Sequence, residues 1–164
     1  MSLSALSGPN RRSVLQMVVA GIAVSGATAC AAPPRVYGLS VNRDAGCGCC
    51  EHWMALMQGS GRFEATMRDE TDMLALKRHL GVPDDLASCH TAEIEGYVIE
   101  GHVPAEDIIR LIEQRPAGVH GLAVPGMPVG SPGMEQGGRR DAFDVIAFRA
   151  DRSREVFSHY PARA

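Results

Sequence analysis

Two periods of apolar residues alternate along most of the chain. Residues 35–41, Arg-Val-Tyr-Gly-Leu-Ser-Val, are rich in strand formers and follow Pro33-Pro34, so they read as a first strand. From Cys49 or Cys50 to about Gln58 the spacing lengthens: Trp53, Leu56 and Met57 recur every three or four residues and Gly59-Ser60-Gly61 stops the run, which predicts a helix. Residues 63–68 read as a second strand. Thr71 or Asp72 caps a second helix with Met73, Leu76 and Leu80 on one side, closed by Gly81 and Pro83. A polar loop, Ser88-Cys89-His90-Thr91, precedes one strand over 94–100. Pro104 opens a helix through Gln114 with Ile108, Leu111 and Ile112 inward, and 144–148 with 155–160 form a terminal hairpin. Strand and helix in alternation, then strands, predict a single α/β sandwich.

That periodicity fails in two places. The first is the start of the chain, where the paired Arg11-Arg12, the apolar run Met17 to Val24 and the small-residue Ala27-Thr28-Ala29 come in the order of a signal peptide. The apolar run is too short for a spanning helix, which needs about 20 residues. Arg11-Arg12 is similar to a twin-arginine export signal, with Val14 where that signal prefers Phe. The expected organisation is therefore a signal peptide over 1–29, a short linker over 30–34 and one domain over 35–164, exported to the periplasm. Cys30 follows the cut site, but Ala27 stands where a lipobox has Leu, so a membrane anchor enters only if Cys30 is lipidated. The second place is 123–138, rich in Pro and Gly, which repeats Pro-Gly-Met at 125–127 and 132–134. A stretch of this kind inside a compact domain is functional or disordered, and the functional reading is preferred because no helix pattern asks for Met127 or Met134.

Length and charge narrow the field. The chain has 164 residues, enough for one domain with a real core. Without residues 1–29 it loses two arginines and no acids, leaving 14 basic against 19 acidic residues. With no basic run, nucleic acid is excluded as a partner.

The chemistry is concentrated in Cys47-Gly48-Cys49-Cys50. Cys47 and Cys50 make a C-x-x-C at the start of a helix after a strand, where helix-terminal amides favour a thiolate, with Cys47 as nucleophile and Cys50 as resolving thiol. That reading, a thiol–disulfide oxidoreductase, leaves Cys49 without a task. Metal binding employs all three. Soft thiolates select Cu(I), Zn(II) or an iron–sulfur centre. Zinc prefers C-x2-C or longer spacings, and iron–sulfur clusters prefer four spaced cysteines. Crowded sulfurs suit Cu(I), since one sulfur can bridge two ions. Cys89 is read as a ligand or redox partner of this cluster rather than as an inert buried thiol. His90, His102, Met127 and Met134 are further ligand types, although His102 would serve equally in a turn and the two methionines equally as apolar plugs. His52, His120 and His159 are read as structural or exposed, His79 as solvated, and Met54 and Met57 as core.

Taken together, "CGCC" before a helix, "SCHTAEIEGYVIEGHVP" and "GLAVPGMPVGSPGME" resemble the CopG-type family of exported copper-resistance proteins, over about residues 35–160. This family is distinct from the ribbon-helix-helix regulators that share its name. The resemblance implies a thioredoxin-like fold, Cu(I) held in a multinuclear thiolate cluster by Cys47, Cys49, Cys50 and Cys89, and a role in copper tolerance, with conversion of the copper oxidation state as one possible form. The implied partners are copper ions and other periplasmic copper-handling proteins.

Overall fold

A computed structural model describes residues 34–164. The signal peptide, Cys30 and all of the linker but Pro34 lie outside the described residues. Eleven elements follow in order. They are β1 (Tyr37–Arg43), α1 (Gly48–Gly59), β2 (Phe63–Asp69), α2 (Met73–His79), a 3₁₀ turn (Asp84–Leu86), β3 (His90–Ile94), β4 (Tyr97–Glu100), α3 (Ala105–Gln114), β5 (Val119–Ala123), β6 (Phe143–Arg149) and β7 (Arg154–Tyr160). The strands form one sheet in the order β2-β1-β3-β4-β5-β6-β7. β1 runs parallel to β2 and β4 parallel to β5, while β3 lies antiparallel to both β1 and β4. Two β-α-β crossovers, through α1 and α3, are thus joined back to back by β3. No helix among the described residues is long and apolar enough to cross a membrane.

Period-2 alternation sends each strand residue to one of two layers. On one side Leu39, Val41, Ala92, Ile94 and Ile99 pack with Trp53 and Met57 of α1 and with Ile108, Leu111 and Ile112 of α3. On the other side Val98, Ala123 and Phe148 pack with Val82 and Leu86, which follow α2. Each fully buried aliphatic side chain in these layers contributes about 1.5–3 kcal/mol.

Three sequence expectations change. Residues 94–100 are not one strand but the turn of a hairpin whose first strand starts at His90, with Glu95 (φ 50°) and Gly96 (φ 84°) both left-handed. Left-handed backbone at both central positions is what a two-residue hairpin turn needs, and Glu-Gly is not the usual sequence for it. β5 (Val119–Ala123) is a strand that the hydrophobic pattern does not predict. On α2 the buried position after Met73 is Lys77, while Leu76 and Leu80, expected on the same side as Met73, are half-buried. The other elements stand where periodicity put them, to within two residues. Asp72 caps α2 by accepting the Ala75 amide, and the buried positions of α3 include Ile108, Leu111 and Ile112.

Candidate metal centre

β1, β4 and β5 all run in the same direction, and the chain leaves their C-terminal ends at Arg43, Glu100 and Ala123. This is the edge at which open α/β sheets gather their chemistry. Each exit delivers part of one site. After β1 comes the turn into α1 with Cys47, Cys49 and Cys50, after β4 comes His102, and after β5 comes the Pro-Gly-Met loop. β3 begins at the same edge, so Cys89 and His90 enter there as well. His90 is the register partner of Arg43.

Cys47 is the N-cap of α1, and Cys49 and Cys50 lie in its first turn. The free amides and the positive end of the helix dipole thus lie beside these three sulfurs. Arg43 secures the turn: its Nη1 donates to Cys47 O at 2.9 Å and to Glu51 at 2.8 Å, and its Nε donates to Asp69 at 2.9 Å. Buried Cys50, Trp53 and Met57 anchor the helix, while Cys47 and Cys49 remain partly open.

The structure brings all four predicted sulfurs together. Cys47 and Cys50 form a disulfide with Cα atoms 5.4 Å apart. Cys49 and Cys89 are free thiols. Cys49 Sγ lies 3.4 Å from Cys47 Sγ and 3.8 Å from Cys89 Sγ. All four sulfurs lie within 4.8 Å of one another. One of the four is therefore supplied from 39 or more residues along the chain.

Cys89 also belongs to a second, overlapping set with His90 and His102, whose donor atoms again lie within 4.8 Å of one another. His102 Nε2 is 3.0 Å and His90 Nδ1 is 3.3 Å from the Cys89 sulfur. At His102 the other nitrogen, Nδ1, donates to the Pro132 carbonyl at 2.7 Å. A carbonyl only accepts, so the proton is on Nδ1 and the Nε2 lone pair is directed at Cys89. His90 is fully buried between Trp53 and His102, with ring centroids 4.4 and 5.1 Å away, and its Nε2 makes no hydrogen bond of normal geometry. Burial holds both imidazoles below their ordinary range, at His90 reinforced by His102 and Lys77, so both are neutral at pH 7 and ready to ligate. Burial, helped by the adjacent Cys49, pushes the Cys89 thiol up to about 12. A metal taken up here must displace a proton from Cys89, whereas the histidines have none to lose.

A buried polar network holds the Cys89 segment from behind. Glu100 Oε1 accepts from the Ser88 amide at 2.5 Å and from Lys77 Nζ at 2.6 Å, and its Oε2 accepts from the Thr91 hydroxyl at 2.6 Å. Lys77 also donates to Thr91 at 2.9 Å. Ser88 and Thr91 flank Cys89-His90, so one carboxylate fixes both ends of the ligand segment. Burial raises the Glu100 pKa, against Lys77 and Thr91, which favour its charged form. Sequence reasoning missed this triad. Its available signal was Lys77 at helical spacing from Met73, on the apolar side.

The 123–138 loop packs onto the site. Gly133 (φ 85°) sits so close to α1 that a Cβ would come within 2.8 Å of the Trp53 amide nitrogen and 3.1 Å of the Cys49 carbonyl. Pro132 orients His102, and the Ser88 hydroxyl donates to Gly126 O. Met127 is exposed and Met134 half-buried on this loop. His52, His79 and His159 are exposed, and half-buried His120 bonds the Leu80 carbonyl. A cavity of about 850 Å³ lies away from this edge, against β1–β3 and the end of α2, and no cysteine lines it.

With this geometry in view, comparison with known proteins is specific. Residues 86–134, which carry Cys89, Glu100, His102 and both loop methionines, match a family described as a protein of unknown function, DUF411. No curated protein matches. Two solved structures, forms 1 and 2 of copper resistance protein CopG, are each 46% identical to the chain. Form 1 aligns over 79% of this chain and 99% of its own, with a TM-score of 0.71. Form 2 aligns over 77% of this chain and 100% of its own, with a TM-score of 0.72. The shared architecture is a thioredoxin-like α/β fold, and at that identity and coverage the chain belongs to the CopG family of copper resistance proteins.

Proposed function

We propose that the chain is an exported, periplasmic copper-binding protein that holds several Cu(I) ions on the thiolates of Cys47, Cys49, Cys50 and Cys89 and so contributes to copper resistance. Family membership gives it a copper-related role. The observation that carries the finer reading is the convergence of four sulfurs within 4.8 Å from two separate segments. Soft thiolates packed this tightly match a soft monovalent ion, and at such separations one sulfur can serve two ions. His90 and His102 are placed to complete the shell on the Cys89 side, and Met127 and Met134 lie on the loop that covers it.

The Cys47–Cys50 disulfide bears on this directly. Four thiolates become available only after the bond takes up two electrons and two protons from a reductant such as a dithiol, which leaves as its own disulfide. The same bond supports a second reading, a thiol or copper oxidoreductase. Two Cu(II) ions accept one electron each from the Cys47 and Cys50 thiols, giving two Cu(I), the disulfide and two protons.

The test is a Cu(I) titration of anaerobically purified, reduced mature protein. Several equivalents per chain are expected for the wild type and fewer for Cys49→Ser. Unchanged stoichiometry in Cys49→Ser, with reduction of a model disulfide retained, favours the oxidoreductase. An intact-mass measurement of the exported form decides whether Cys30 is removed, retained or lipidated.

A further inference from the structure

The two faces of the sheet are covered unequally. Residues of α1 and α3 pack on one face against Leu39 and Val41. On the other, Lys77 of α2 reaches Thr91 and Glu100, while Val82 and Leu86 pack on Val98, Ala123 and Phe148. Over β1 and β2 this second face is open among the described residues. The register sets Glu64 beside Gly38, and Thr66 and Glu93 on either side of Ser40, all on that face. Gly38, Glu64, Thr66 and Glu93 are exposed there, although a parallel pair such as β1–β2 is ordinarily covered on both faces.

This open face is the floor of the cavity of about 850 Å³, a volume in the range of sites for small organic ligands. Its wall toward β5 is built from Leu80, Gly81 and His120, with His120 Nε2 donating to the Leu80 carbonyl at 2.8 Å. Gly38 leaves the floor clear, since a Cβ there would meet no heavy atom within 4 Å. The charge of the lining has one sign: Glu64, Glu93 and Glu95 line the cavity and no lysine or arginine does. Glu95 is already paired, with Arg115 at 3.2 Å and Arg35 at 3.8 Å. Among the described residues Glu64 and Glu93 have no cationic partner.

We infer that this open sheet face binds an elongated organic cation, a linear polyamine, with one ammonium group on Glu64 and another on Glu93. The two carboxylates stand on either side of β1, two strand gaps across and two residues along, which puts their Cα atoms about 12 Å apart. That separation asks for two charges joined by a chain rather than for one compact ion. The hydrocarbon between and beyond the charges lies over Gly38 and against Val98 and Leu80, where the lining is small or apolar. Because no cysteine lines the cavity, the inference stands or falls independently of the copper reading.

Spermidine, a linear triamine of comparable reach, is the probe. Calorimetric titration of the mature protein at low salt is expected to show saturable binding of one spermidine per chain, weakened by added salt. Butylamine, with a single ammonium group, is expected to bind about fivefold or more less tightly. Glu64→Gln and Glu93→Gln should each weaken spermidine about three- to fivefold. Gly38→Val, which stands a side chain on the cavity floor, should weaken it about tenfold or more. Valine suits an extended strand position where glycine is weak, so Gly38→Val is expected to keep or raise the urea midpoint. If that variant misfolds, the double variant Glu64→Gln/Glu93→Gln, changed only at exposed positions, carries the test. No saturable spermidine binding, butylamine bound as tightly as spermidine, or an affinity unchanged in the double variant overturns the inference. So does an oligolysine that binds where spermidine does not.

Discussion

The two halves of the site are held in different ways. The Cys47–Cys50 turn is made from consecutive residues: a helix start presents the sulfurs, and Arg43 ties the turn through Glu51 and Asp69, both open to solvent. The Cys89–His90 segment is held by distant residues, with Lys77, Thr91 and Glu100 all buried around it. The first half depends on local geometry and exposed ion pairs, which contribute little. The second depends on a buried ion pair that stabilises only while both partners are present. A cluster that draws sulfur from both halves therefore fails first on the Cys89 side.

The largest effect is expected from breaking that pair on one side. Glu100→Leu leaves the Lys77 ammonium buried without its carboxylate and should cost about 3–5 kcal/mol in urea unfolding of the reduced apoprotein. Removing both charges separates stability from positioning. Lys77→Met/Glu100→Gln retains an acceptor for the Ser88 amide, and Lys77→Met/Glu100→Leu does not. Both doubles should fold with near-wild-type stability, but only the Leu double should weaken Cu(I) binding, by about tenfold or more in competition with a chelator. If the two doubles bind copper alike, Glu100 does not position Cys89.

Gly133→Ala comes next. Its Cβ has no room beside Trp53 and Cys49 and the backbone is left-handed, so the loop should lift and release the Pro132–His102 bond. A loss of about 1–3 kcal/mol is expected, with the His102 resonance moving in an imidazole NMR spectrum.

A pH titration probes the Cys89 half through its two buried histidines. His90 and His102 are held below their ordinary value of 6.5, so below pH 6.5 the unfolded chain binds protons the folded chain refuses. Their contribution to stability is present above pH 6.5 and falls away as the pH drops below it. The urea midpoint of the reduced apoprotein should fall between pH 7 and 5.5, and by less in His102→Gln. In the same half, copper binding must displace the Cys89 proton, held up to about 12, so apparent Cu(I) affinity should rise with pH through the neutral range. The smallest effect is expected on the other side, where Arg43→Met should barely move either the midpoint or the copper affinity.

What the sequence revealed divides along the same line. Cys47, Cys49 and Cys50 advertise themselves by adjacency, and the helix after them by the spacing of Trp53 and Met57. Cys89 was legible as a partner because three thiols in one turn ask for a fourth. The supports of Cys89 were not. Lys77 and Glu100 look like ordinary surface charges until tertiary packing buries them, and no local rule pairs residues 23 positions apart. β5 escaped for a related reason. Gly121 reads as a strand breaker, yet it is there because a Cβ would come 2.0 Å from the Val98 carbonyl of the neighbouring strand. Period and spacing expose what is local, and contacts between distant segments need the fold.

The central claim is that Cys89 completes the sulfur cluster begun on α1. Cu(I) titration of reduced wild type and Cys89→Ser, with bound copper counted per folded chain, tests it most directly. The account predicts several equivalents for the wild type and a clear loss in the variant. Equal stoichiometry in the two, or no uptake by either, would contradict it.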